Sequence, residues 1–176
     1  MKPKLRFPEF ENPWQYKQLS KLAERITDRN VGGKHTRVLT NSAEFGIVDQ
    51  RDYFEREIVT TGNLENYFIV EEGDYVYNPR VSAIAPVGPI SKNLVGTGIM
   101  SPLYTVIRFG NTANQFYAQF FKTAHWHHYL RTVSNSGARH DRMSISNDDF
   151  MAMPVPTPSP AEQSKIAGCL SSLDEL

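Results

Sequence analysis

The residues of this 176-residue chain that could do chemistry are arginines, asparagines, lysines and histidines set around turns. The stretch Gly73-Asp74-Tyr75-Val76-Tyr77-Asn78-Pro79-Arg80 alternates like a β-strand, stops at Asn-Pro and places an arginine just past the stop. An arginine so placed can fork onto guanine O6 and N7 in a major groove, and an asparagine such as Asn78 can pair with an adenine edge. Two other clusters share this chemistry. Lys34, His35 and Arg37 follow the Gly32-Gly33 break, and Ser136, Arg139, His140 and Arg142 fall between a helical pattern and an extended one. Ser82 and Lys92, in the irregular stretch after Arg80, are of the types that hold phosphate. The alternative is ion pairing, of Arg80 with Glu71, Glu72 or Asp74, and of Arg139 and Arg142 with Asp141 or Asp148.

Charge changes sign at the same stretch. Residues 31 to 75 hold four Lys/Arg against nine Asp/Glu, or −5, and residues 76 to 145 hold seven (Arg80, Lys92, Arg108, Lys122, Arg131, Arg139, Arg142) against Asp141 alone, or +6. The whole chain balances at 19 against 19. The net charge therefore says nothing about partners, but a segment at +6 that also holds four of the five histidines suits a polyanion. The competing view pairs these cations with the acidic segment.

Catalytic patterns are not found. His125-Trp126-His127-His128 invites a metal-dependent nuclease, yet adjacent histidines on a helix point in different directions and no nearby Cys or carboxylate completes a set. Asn78-Pro79 is similar to the Asn-Pro-Pro-aromatic motif of amino-methyltransferases, but Arg80 replaces the second proline and no Gly-rich cofactor loop follows a strand. The nucleophile elbow and the phosphate-binding loop are also missing. Cys169 is the single cysteine, which excludes an internal disulfide and a thiolate metal cluster. With no run of 18 apolar residues and no basic-then-apolar leader, the expectation is a soluble, cytoplasmic protein away from membranes. The chemistry points to binding, with no catalytic residue, metal or cofactor of the chain's own.

The elements that must position these groups read as one mixed α+β domain, 40% hydrophobic, followed by a helix. Phe7, Phe10 and Trp14 should pack down on the domain. Leu19, Leu22, Ala23 and Ile26 fall at helical spacing and predict a short helix from residue 14 to residue 30. A β-branched run covers residues 38 to 40, and residues 52 to 58 look helical. Residues 67 to 70 and 75 to 77 read as a hairpin, residues 81 to 102 as a long ordered loop, and residues 103 to 109 as a strand. A helix starting at Asn111-Thr112 carries Phe116, Tyr117, Phe120, Phe121, Trp126, Tyr129 and Leu130, a stripe read as core in preference to a base-stacking platform. Residues 143 to 146 are extended. The alternating prolines of residues 153 to 160 predict a stiff spacer after a recognition domain of residues 1 to 152. Ser159-Pro160-Ala161-Glu162 is a capping box that starts a helix over residues 161 to 176. Its seam of Ile166, Cys169, Leu170 and Leu173 either folds back on the domain or, as a spacer would favour, pairs with a partner helix.

Four blocks together resemble the specificity (S) subunits of type I restriction-modification systems. They are residues 3 to 19 with Trp14 and Leu19, the stretch from Gly73 to Arg80, Gly98-Ile99-Met100-Ser101-Pro102-Leu103-Tyr104, and residues 136 to 143 leading to residues 158 to 167 and Leu173-Asp174. The resemblance implies a target recognition domain that contacts one half of a split double-stranded DNA target. It also implies a helix that runs antiparallel to a counterpart, sets the distance to a second recognition domain and docks the modification subunits. In that family the S subunit is not catalytic: S-adenosylmethionine serves the modification subunits, and ATP with Mg serves the restriction subunit. The family varies its recognition residues, so the residues named above rest on chemistry and position. S subunits usually hold two such domains and two full helices, whereas this chain has one domain and about half a helix, as a shortened subunit or a half-subunit acting with a dimer mate would. The rival function is a non-catalytic protein-interaction module that uses the helix seam and binds no DNA.

Overall fold

Antiparallel pairing, more than local propensity, decides the elements. The computed structural model describes residues 3, 5–53, 64–111, 115–135 and 140–174. In chain order these form β1 (Gln15–Gln18), β2 (Ala23–Ile26), β3 (Leu39–Ser42), β4 (Gly46–Asp49), α1 (Gln50–Tyr53), β5 (Phe68–Val70), β6 (Tyr75–Tyr77), β7 (Ile90–Lys92), β8 (Gly98–Met100) and β9 (Thr105–Phe109). Then come α2 (Phe116–Phe121), α3 (His127–Val133), α4 (Asn147–Met151), β10 (Pro154–Thr157) and α5 (Pro160–Asp174). The class is α+β, as expected.

The centre is a four-stranded antiparallel sheet in the order β2-β9-β6-β7. Strand alternation sends Ala23, Tyr75, Tyr77, Ile107 and Phe109 into one core and Ile26, Val76 and Val106 into another. The first core is aromatic: Tyr75 meets Phe109 edge-on at 5.0 Å, Tyr77 stacks on Phe150 at 4.9 Å, and Phe109 stacks on Tyr117 at 4.4 Å. The helical aromatic stripe is thus core. The second core is closed by residues of the β3-β4 hairpin and of β5 and β8.

Four expectations are corrected. Residues 14 to 30 form β1, a one-turn 3-10 segment at Leu19–Lys21 and β2, not a helix. Leu19, Ala23 and Ile26 are buried as expected, but β2 pairs residue by residue with β9, and that ladder outweighs the helical spacing. The supposed hairpin of residues 67 to 77 is a crossing between sheets, with β5 paired to β8 and β6 set between β7 and β9. The loop of residues 81 to 102 contains β7 and β8, each too short to show a period. The helix expected after Asn111 is split by a turn at residues 122 to 126 into α2 and α3. Of the helix expected over residues 52 to 58, Asp52 and Tyr53 are helical and the rest lies outside the described residues.

The proline segment is likewise no spacer, because β10 pairs antiparallel with β1 and buries Met153 and Val155 completely. Prolines at every second position leave the N–H groups of Val155 and Thr157 on one edge, the edge that faces β1. Helix α5 then starts as the capping pattern predicts, with Ser159 Oγ accepting from the Glu162 amide at 3.3 Å. The Glu162 carboxylate has another task. It accepts from Arg6 Nε at 2.6 Å and from Trp14 Nε1 at 2.9 Å, and binds the amino-terminal segment to the helix.

The Arg6–Glu162 pair is nearly sealed from solvent, and the Arg6 guanidinium, helped by Trp14, holds the Glu162 carboxyl below its ordinary value. A lowered folded-state value means stability that is present above the ordinary carboxylate range near 4.5 and lost as pH falls through the lowered value. Arg6→Ala should lower the thermal midpoint at neutral pH by roughly 5 °C or more. In acid titrations followed by circular dichroism, that deficit should shrink as pH falls through the Glu162 transition.

Candidate nucleic-acid interface

The exit of β6 is fixed before any arginine is presented. Asn78 is buried, its Nδ2 donating to the Asn41 carbonyl at 2.9 Å and its Oδ1 accepting from the Arg80 amide at 3.0 Å. Asn41 in turn donates to the Val76 carbonyl at 2.7 Å, so the two asparagines stitch β3 to β6. The following loop folds back tightly: the Asn78 amide donates to the Pro89 carbonyl at 3.0 Å, and Tyr77 Oη donates to the Val87 carbonyl at 2.9 Å. Gly88, at φ 82°, passes so close that a Cβ there would lie 2.0 Å from the Asn78 carbonyl oxygen. Asn78 is therefore corrected from a base-reading candidate to a structural residue, since both ends of its amide are spent on backbone.

From this base the chain presents Arg80 beside Arg142. The two form an isolated antiparallel bridge, flanked by Met143 N–H donating to the Pro79 carbonyl at 2.9 Å and Val81 N–H donating to the Asp141 carbonyl at 3.0 Å. Two basic clusters far apart in sequence thus become one short ladder, with Arg80, Ser82 and His140 exposed. Ser82 also caps its own turn, its Oγ accepting from the Ala85 amide at 3.2 Å. Ser136 and Arg139 lie outside the described residues.

Of the three acids weighed as partners for Arg80, two are engaged by Arg108 and the third, the exposed Glu72, makes no ion pair with it. Asp74 is fully buried and accepts from Arg108 Nε at 2.6 Å and Nη2 at 2.9 Å, while Glu71 lies 2.9 Å from Arg108 Nη2. Those acids raise the Arg108 guanidinium above its ordinary value, the Asp74 hydrogen bonds leading. Arg80 makes no ion pair among the described residues. Arg142 approaches only the exposed Asp141, at 3.6 Å.

Other expected residues are placed differently. Lys34 is exposed, but the His35 backbone is held by Asn30, whose Oδ1 accepts from the His35 amide at 2.9 Å and whose Nδ2 donates to the His35 carbonyl at 2.8 Å. Arg37 is exposed and also serves as a tie: its Nε donates to Asp49 at 3.0 Å and its Nη1 to the Val95 carbonyl. Lys92 is also corrected, since its side chain is buried with Nζ 5.8 Å from the centre of the Tyr75 ring, and burial lowers its pKa against the pull of Glu72. Around His125–His128 no group of three His, Cys, Asp or Glu side chains converges among the described residues. Burial, with Arg131 nearby, lowers the His127 pKa.

The seam of α5 is divided. Ala167 is buried and Ile166 half-buried, Asp174 accepts from Gln119 at 2.9 Å and Lys122 at 2.7 Å, and Cys169, Leu170 and Leu173 are exposed. The helix thus folds back on the domain and still leaves apolar side chains outward, where the spacer expectation had it projecting free.

One residue escaped sequence reasoning. Arg25 was assigned to a helix, whereas β2 directs it into a cavity of about 250 Å³ that is also lined by Tyr77, Pro79, Tyr104, Thr105 and Arg142. The alternation of Ala23-Glu24-Arg25-Ile26 was the available signal, and four residues are too few to carry it against helical spacing.

This fold is the one carried by specificity subunits of type I restriction-modification systems. The HsdS subunit of Thermoanaerobacter tengcongensis aligns with 98% of this chain and 44% of its own, at TM-score 0.59 and 12% identity. The S subunit from M. genitalium aligns with 99% of this chain and 42% of its own, at TM-score 0.58 and 14% identity. A structure describing complex assembly and conformational transition of the type I R-M system matches 95% of this chain and 43% of its own, at TM-score 0.60 and 14% identity. The chain thus spans less than half the length of these proteins. No protein-family model matches the sequence, and no curated protein is similar to it.

The asparagine stitch has a measurable consequence. Asn78→Ala would leave the Asn41 carbonyl and the Arg80 amide without their partners in a buried setting, and should lower unfolding free energy by about 1–3 kcal/mol in denaturant titrations.

Proposed function

We propose that this chain recognises DNA sequence within a type I restriction-modification complex, reading one half of a split duplex target. Methylation and cleavage then belong to other subunits, so this chain is not an enzyme and holds no cofactor of its own. S-adenosylmethionine would sit on the modification subunits, and ATP and Mg on the restriction subunit, all in the cytoplasm. The observation that carries this reading is the Arg80–Arg142 ladder. It presents an exposed guanidinium, without an ion pair among the described residues, from a rigid strand exit, on a fold shared with specificity subunits. With its backbone already fixed, such an arginine loses only side-chain freedom on forking onto a guanine, and the bidentate contact discriminates against a wrong base by about 1–3 kcal/mol. The exposed Leu170 and Leu173 of α5 suit a partner helix, from a second recognition domain, a dimer mate or a modification subunit.

The same exposed leucines support the rival reading, a protein-interaction module without DNA binding. Selection from randomised duplexes at two salt concentrations, with the chain alone and with modification subunits added, separates the two. Enrichment of a short half-target is expected. Arg80→Ala should then weaken the selected duplex by roughly 5- to 100-fold and relax one base position, with the thermal midpoint unchanged. No enrichment in either sample and no binding at low salt would leave only the interaction module.

A further inference from the structure

Arg25 and Arg142 are brought together from β2 and from the segment before α4, and both line the small cavity at the end of the central sheet. The Nε of each is shut off from solvent and has no hydrogen-bond partner among the described residues. Arg25 makes no hydrogen bond or ion pair with any described residue, and the nearest charge on Arg142 is Asp141 at 3.6 Å, itself well exposed. The cavity wall contains no carboxylate at all. A buried guanidinium donor without an acceptor is costly, and folded proteins retain few of them unless an acceptor is supplied from outside. Two arginine side chains lining one cavity of about 250 Å³, each with guanidinium hydrogen-bonding capacity left unused by the protein, suit a compact anion with several acceptor oxygens.

We infer that Arg25 and Arg142 form a socket for a single phosphate group of the DNA backbone, adjacent to the exposed Arg80. This rests on the DNA-reading proposal and adds a division of labour to it. Arg80 stands outside the cavity, free to reach a base edge, while the socket grips the strand and sets the register in which that base is met. The ladder between Arg80 and Arg142 fixes the two functions relative to each other through backbone. The ligand is a phosphodiester because the exposed Arg80 and His140 adjoin the lining residues Pro79 and Arg142 along the chain and extend the positive surface along which a phosphate chain would run.

The test measures duplex affinity against salt for the wild-type chain, Arg25→Gln and Arg142→Gln, beside thermal midpoints. With duplex bound by the wild type, each variant should lose about tenfold on every sequence alike and flatten the slope of log affinity against log salt by about one. Thermal midpoints should hold or rise, since an unpartnered buried cation is removed. An unchanged slope, a loss confined to one base position, or a lower midpoint in both variants would overturn the socket. If the wild type binds no duplex even at low salt, the DNA-reading proposal fails and inorganic phosphate decides the socket alone. Saturable shifts of the Arg25 and Arg142 Nε–H resonances, abolished by Arg25→Gln, would keep it as an oxyanion site, and unmoved resonances would end it.

Discussion

The Asp74 carboxylate, sealed from solvent, is the constraint on which the presented arginines depend. It accepts from Arg108 on β9 and from the Glu71 amide at 2.8 Å, while its backbone carbonyl accepts from the Asn93 amide beyond β7 at 2.7 Å. One acid thus ties together the entry of β6, its neighbour in the sheet and the following loop. Its pairing with Arg108 also takes up one of the acids that could have claimed Arg80. A buried acid satisfied within the sheet can leave a cation unclaimed at its rim.

Rigidity is added stepwise from that anchor. The stitch between Asn41 and Asn78, the close pass at Gly88 and the Tyr77 hydroxyl bond each fix the chain between β6 and Arg80. Positioning therefore comes from backbone acceptors and donors, and the side chains left over at the surface are the ones free to meet something else. Asn78 and Arg80, two residues apart, fall on opposite sides of this division. One is consumed in making the turn and the other is displayed by it.

What could be read in the sequence follows from how local each signal was. The α5 start was legible because the Ser159 cap lies within one turn, and the β9 strand because five residues alternate. The acid-to-base switch in the sequence falls at β6, whose exit carries Arg80. Non-local pairing was illegible: nothing in residues 15 to 26 announces partners at residues 106 to 109 and 154 to 157. The same blindness hid Arg25, whose role depends on a register set by β9, and made a paired strand look like a proline spacer. Arg37 and Lys92 show the converse limit. Their charge was plain, but Asp49 and the Tyr75 ring, which absorb them, are distant in the chain.

The proline rhythm of β10 has one more effect, on the side turned away from β1. There Pro154, Pro156 and Pro158 supply carbonyls but no N–H groups, so the outer border of this two-stranded sheet has lost half of the ladder that a further strand would need. On that border a neighbouring molecule with an extended segment finds little foothold for growth by strand addition. The residues that look like punctuation before the last helix thus also guard the protein, when crowded, against self-propagating sheet assembly.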